Sequence, residues 1–213
     1  MTTNREKGAS FEEKAFGLLQ ALVVSEQFGF LPDCAKIFTQ KAYFSSDRGS
    51  DIVFDISIEV TLPGASEPSF LWLWECKNYA KPIPVDDVEE FNSKVLQVAG
   101  LNVKGGIISS GAMQSGALNY AASRKIAVIR ILPDDQVTWI RHHMASRHSP
   151  AADDLSTDAI AAITQPHFHA VNQREFAASH GYIFPVVSAM IRHALLTEAA
   201  DVANSPLGYR LQP

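Results

Sequence analysis

Ile52-Val53-Phe54-Asp55-Ile56-Ser57-Ile58-Glu59-Val60 and, after a turn, Phe70-Leu71-Trp72-Leu73-Trp74-Glu75-Cys76-Lys77-Asn78 decide how this chain is read. In the first run the even positions are all apolar and the odd ones mostly polar, the two-residue period of a strand with one buried face. The second run is apolar for five residues and then turns charged. Pro63, Gly64 and Pro68 punctuate the connection, so the two runs are expected to pair antiparallel.

The turn centres near Ala65, and opposed residues of such a hairpin sum to about 130. Asp55 then faces Glu75, and Val53 faces Lys77. Glu75 and Lys77 are two apart and share a sheet face, and Asp55 falls on that face as well. Two carboxylates and an ammonium are thereby brought within about 5–8 Å, the reach of direct and diagonal cross-strand neighbours. Unpaired charge in so apolar a strand costs several kcal/mol, so these groups require partners. One solution is a hard divalent cation held by Asp55, Glu75 and the Cys76 carbonyl, with Lys77 positioning or deprotonating a water. The plainer solution is a salt bridge from Lys77 to either acid on an exposed face. Asp51 is also odd-numbered, and a bulge in the hairpin would make it the ligand in place of Asp55. The Cys76 side chain points to the opposite, apolar face and reads as core; no histidine near it in sequence is available to activate it.

Working outward, residues 8–24 read as a helix with Phe11, Ala15, Leu18, Leu19 and Leu22 on one stripe. Ser10 and Glu13 have capping-box spacing at its start. Residues 37–44 predict a strand. Residues 85–100 predict a helix, with Val88, Phe91, Val95 and Val98 at helical spacing and Asp86 and Asp87 in the first turn. Strand 105–110, helix 115–123 and strand 126–132 follow at the spacing of a parallel crossover. The order is αβββαβαβ, an α/β core with a mixed sheet.

Past Pro133 the texture changes. All seven histidines lie there, strand patterns fade, and 159–163 and 185–203 look helical. Two domains are therefore expected: an α/β domain over 1–132 and a mostly helical C-terminal appendage over 133–213.

Bulk properties narrow the function classes. Net charge is −5, which argues against a protein that coats nucleic acid by counterion release alone; any grip on DNA must come from a local site. No eighteen-residue apolar run exists, and Met1 to Ser10 lacks a signal-peptide core, so no membrane span or secretion is expected. The two cysteines, Cys34 and Cys76, are too few for a disulfide framework, and a reduced, cytoplasmic setting is the simplest expectation. His142-His143 and His167-Phe168-His169 match no zinc spacing. Asn78, Tyr79, Lys81 and Arg48 are equally suited to phosphate contact or to a polar sheet edge. Arg124, Lys125 and Arg130 read as a solvated face.

Glu12 in a first helix, Asp55 in a strand, Glu75-Cys76-Lys77 in the next strand and the α-β-α-β run that follows resemble the PD-(D/E)XK nuclease superfamily. The nearest branch is the Mrr-type restriction endonuclease domain, whose later segments Gly106-Ile107-Ile108-Ser109-Ser110 and Ser115 to Ala121 also resemble. The likeness spans roughly residues 8–132. It implies a restriction-endonuclease-like fold and hydrolysis of DNA phosphodiesters with Mg²⁺ or Mn²⁺. Asp55 and Glu75 become metal ligands, Lys77 the catalytic lysine and Glu12 a supporting acid. Phe54, where the motif has proline, is a departure. Cutting of both strands would call for a homodimer. The alternatives are a nuclease-fold module that binds without cutting, and a nuclease acting on branched DNA or RNA.

Overall fold

The computed structural model describes residues 4–25, 31–98, 102–138, 159–171, 173–184 and 186–204. Its centre is a mixed seven-stranded sheet between two helical layers. Helix α1 (Asn4–Val24) leads into β1 (Ala35–Ser45), β2 (Ser50–Val60) and β3 (Phe70–Lys77), which pair antiparallel in that order. Helix α2 (Val85–Leu96) connects to β4 (Asn102–Ser109), and α3 (Ser115–Ser123) to β5 (Ala127–Ile131). β3, β4 and β5 run parallel, as the expected crossovers require.

Two apolar clusters cover the two sheet faces. One joins Leu71, Leu73, Ile107 and Val128 to Val88, Phe91 and Val95 of α2 and to Ala117 and Ala121 of α3. The other joins Trp72, Trp74, Ile108 and Ile129 to Phe11, Ala15, Leu19 and Leu22 of α1. Each helix buries the stripe its spacing marks out, and burial of that stripe, more than intrinsic propensity, holds such helices in place. Helix α1 is already formed at Asn4, so Ser10 lies inside it and the expected capping box is not its start. Helix α2 ends at Leu96, short of the expected Gly100, and residues 99–101 lie outside the described residues.

The helical-appendage expectation is corrected over residues 170–184. After β6 (Val137–Thr138), helix α4 (residues 159–164) and β7 (Ala170–Val171) come β8 (Glu175–Ser179) and β9 (Tyr182–Phe184). β8 pairs antiparallel with β5 and β9 with β8, so the central sheet is completed from this part of the chain. The physical reason is size. β8 is Glu175-Phe176-Ala177-Ala178-Ser179, and small side chains let the strand tuck under α5 (Val187–Asn204) while giving no β-branched signal. The helical expectations for 159–163 and 185–203 agree with α4 and α5. No described helix is long and apolar enough to cross a membrane.

Arg130, expected on a solvated face, is instead 1% exposed. Its guanidinium donates to the carbonyls of Ser110, Ala162, Gln165 and Pro166 and to Oε1 of Gln136. All of these acceptors are neutral, and burial lowers the arginine pKa to about 10. The group therefore remains charged at neutral pH and fastens α4 and the turn after it to the ends of β4 and β5.

Candidate active site

The opposed residues of β2 and β3 sum to 130 in every pair from Val60↔Phe70 to Ile56↔Trp74, the predicted register. Pairing stops at Ile56. Phe54 belongs to the cluster under α2, whereas Ile56 belongs to the cluster under α1, although both are even-numbered. The strand has therefore changed faces across Asp55. β1 does the same at the matching place. Thr39 pairs with Ile56 and Lys41 with Phe54, leaving Gln40 and Asp55 facing each other between them, with Gln40 at φ 49°. One extra residue on each strand, inserted at the same level, reverses both faces while keeping the register, a doubled form of the β-bulge.

That reversal positions the acids. Asp55 sits at the change of face, not squarely beside Glu75 and Lys77 as simple alternation would have it. Its Oδ2 accepts the backbone N–H of Cys76 at 2.7 Å. Its Oδ1 accepts from the Gln40 amide at 3.2 Å, and the same amide nitrogen donates to Oε2 of Glu12 on α1, also at 3.2 Å. Glu12 is thus connected to Asp55 through one side chain. Asp51 pairs with Phe44 near the far end of the hairpin and is exposed, so the bulge does not recruit it.

Glu75 and Lys77 form an ion pair, Nζ to Oε1 at 3.1 Å. Lys94 of α2 reaches the same Glu75 oxygen at 3.2 Å and also holds Glu90, one helical turn back, at 3.0 Å. Burial opposes the charge on Lys77, but the charge and hydrogen bond of Glu75, with Tyr79 and Asp87 behind them, outweigh it and raise its pKa. Lys94 is likewise raised: Glu75 and Glu90 overcome its burial.

The acids on the other side of the site are compensated less. Burial is the largest influence raising the Asp55 pKa, and Glu75 adds to it, against the hydrogen bonds from Cys76 and Gln40 and the charge of Lys77. Burial also comes first for Glu12, followed by the charge of Asp55. Among the described residues no ammonium or guanidinium pairs with either. The site therefore has two poles: Glu12 and Asp55, hydrogen-bonded by neutral amides with the Lys77 charge at longer range, and Lys77 and Lys94 sharing Glu75.

The donors at the negative pole are hard oxygens, which suit Mg²⁺ or Mn²⁺ and not a thiophilic metal. Surplus charge on Asp55 and Glu12 would be relieved by such an ion, so the residues present fit one. Among the described residues no group of three or more His, Cys, Asp or Glu side chains is gathered as a metal cage. Two carboxylates, a backbone oxygen and waters are what Mg²⁺ ordinarily takes. The Cys76 side chain packs against the cluster under α1, as expected, and its thiol pKa is raised by burial and then by Asp55, Glu12 and Glu75. These surroundings disfavour the thiolate that a nucleophile needs.

Asn78 accepts from Ser110 Oγ at 2.8 Å, and Arg48 donates to Gln97 Oε1 at 2.7 Å, so both have structural partners. His142 and His143 lie outside the described residues. Gln40 and Lys94 are the contributors that sequence reasoning missed. The only signal for Lys94 is its four-residue spacing from Glu90, common to many exposed helices; for Gln40 there is none. Compared with protein-family models, curated proteins and solved structures, the chain finds no match in any of the three.

Proposed function

We propose that this protein is a divalent-metal-dependent nuclease that hydrolyses DNA phosphodiester bonds through a restriction-endonuclease-like core. The observation that carries the reading is the two-pole site: Glu12 and Asp55 beside Glu75, with Lys77 and Lys94 adjoining, where β2 leaves β3. A polarised site of this kind suits a reaction between a cation and a phosphate.

Asp55, Glu75 and the Cys76 carbonyl would hold Mg²⁺ or Mn²⁺, with Glu12 in support. When bound, the ion would supply an activated water and neutralise charge developing on the phosphate. Lys77, 3.1 Å from Glu75, would act as an ammonium beside the attacked phosphate, stabilising negative charge that grows in the transition state. Lys94 keeps Glu75 from folding back onto Lys77 alone, and the Cys76 N–H fixes the Asp55 carboxylate.

The test is cleavage of supercoiled, linear and branched DNA, and of RNA, with and without Mg²⁺. Metal-dependent cutting of DNA that disappears in Lys77→Ala supports the reading. Equal activity in wild type and variant retires it.

The double pairing of Glu75 by Lys77 and Lys94 favours a second reading, a nuclease-fold module that binds without cutting. Calorimetry with Mn²⁺ separates the two. Heat that vanishes in Asp55→Ala belongs to the enzyme, and a wild-type chain without Mn²⁺ binding belongs to the module.

A further inference from the structure

Gln40 has no place in the motif that marks the other site residues, yet its geometry is the most specialised in the site. A non-glycine residue at φ 49° pays a steric cost, and strands rarely tolerate one without a compensating interaction. Here the amide compensates. Its single nitrogen donates to Oε2 of Glu12 and to Oδ1 of Asp55, each at 3.2 Å, which spends both of its hydrogens on two carboxylates. Those oxygens cannot be farther apart than twice that separation. Like charges drawn so close repel, and a neutral amide cancels none of that charge; it only holds the pair in place. A neutral donor shared by two carboxylates leaves most of their combined charge available to a cation.

We infer that Gln40 is a positioning residue that brings the carboxylates of Glu12 and Asp55 to one divalent cation, making Glu12 part of the ion-binding set. The inference rests on the metal-dependent reading above and adds to it a residue, a carboxylate and the link between them. The doubled bulge is what makes the link possible. Without the extra residues, alternation would turn the facing pair Gln40 and Asp55 to the α2 side of the sheet, and α1 would have no bridge to β2.

Removal of a side chain that orients a metal ligand weakens metal affinity by about 10–100-fold in comparable sites. The experiment is calorimetric titration of Mn²⁺ alone into the full chain, as wild type, Gln40→Gly and Glu12→Gln. Glycine adopts a positive φ freely, so Gln40→Gly keeps the backbone kink and deletes only the amide. Glu12→Gln leaves β1 untouched and approaches the same link from α1. The expected result is a loss of Mn²⁺ affinity of about tenfold or more in each variant, with urea unfolding midpoints no lower than that of wild type. Wild-type affinity in either variant overturns the inference while leaving the metal-dependent reading in place. Absence of Mn²⁺ binding in the wild-type chain overturns the reading itself, and the inference with it.

Discussion

Asp55 and Cys76 lie on neighbouring strands, and it is the Asp55 carboxylate, not the backbone of β2, that takes the Cys76 N–H, at 2.7 Å. A side chain has replaced a rung of the sheet ladder. The carboxylate is ordered as firmly as the strand is, at the cost of burying a charge that burial and Glu75 both disfavour.

Asp55→Asn should therefore separate stability from function. The amide oxygen can still accept from Cys76, and the buried charge is gone. Mn²⁺ binding should be lost while the fold gains on the order of 1 kcal/mol, the usual scale of a stability–function trade-off. Paired urea melts and calorimetry measure both; a variant that is destabilised and still binds metal contradicts the assignment.

The same acids set a pH dependence. The carboxyls of Asp55 and Glu12 are raised from ordinary values of 3.8 and 4.5, so the folded state keeps protons that the unfolded chain has already released. Their contribution to stability is present at low pH and is lost as pH rises through the raised values. Metal-free wild type should lose stability relative to Glu12→Gln/Asp55→Asn as pH rises above the ordinary carboxyl values of 3.8 and 4.5. Unfolding free energies at several pH values give the difference, and a gap that narrows with rising pH has the wrong sign.

Arg130→Ala should be among the most damaging single changes. It strips a partner from four carbonyl groups, that of Ser110 after β4 and those of Ala162, Gln165 and Pro166 in and after α4. Gln165 keeps the Phe168 N–H and Pro166 the Gln136 amide, so the Ser110 and Ala162 carbonyls carry the loss. Orphaned buried acceptors cost about 1–3 kcal/mol each, and a loss of about 2 kcal/mol or more is expected. Arg130→Lys should recover little, because three donors on a flexible stem cannot reproduce a planar fork. Urea denaturation of both variants measures this, and a lysine variant equal to wild type would show the fork to be dispensable.

Gly106→Ala tests the core beside the site. A Cβ at Gly106 would overlap the ring of Trp74, which is wholly buried and stacked on Trp72 at 5.0 Å. Overpacking of this kind costs about 1–3 kcal/mol. Tryptophan fluorescence during unfolding should report a lower midpoint together with a changed native spectrum.

Much of the central sheet was legible before any coordinates, because alternation and turn residues are local. The β2–β3 register came out unshifted from Val60↔Phe70 to Ile56↔Trp74, but the ladder ends there, and the expected pairs of Asp55 with Glu75 and Val53 with Lys77 do not form. Which face each residue takes was not fully legible. Alternation assumes one residue per step, and a bulge doubled on two strands leaves register and hydrophobic pattern intact while reversing the sides at Gln40 and Asp55. Gln40 was missed for that reason. Lys94 was missed because its bond to Glu75 crosses from helix to sheet, a contact that no spacing within α2 encodes. Arg130 and β8 failed for a different reason. Arginine reads as surface and alanine as helix until a tertiary partner, here the carbonyls of residues 162–166 and the edge of β5, overrides the propensity.

The late arrival of β8 and β9 constrains how the protein can be dissected. A fragment that stops near residue 132 would retain every acid and lysine of the site, yet β5 would present a naked row of hydrogen-bonding groups to solvent, flanked by apolar side chains once covered by α5. Such a fragment would find its missing strand in other copies of itself and precipitate. The half that carries the candidate site cannot be harvested by trimming near residue 132; expression should carry through α5.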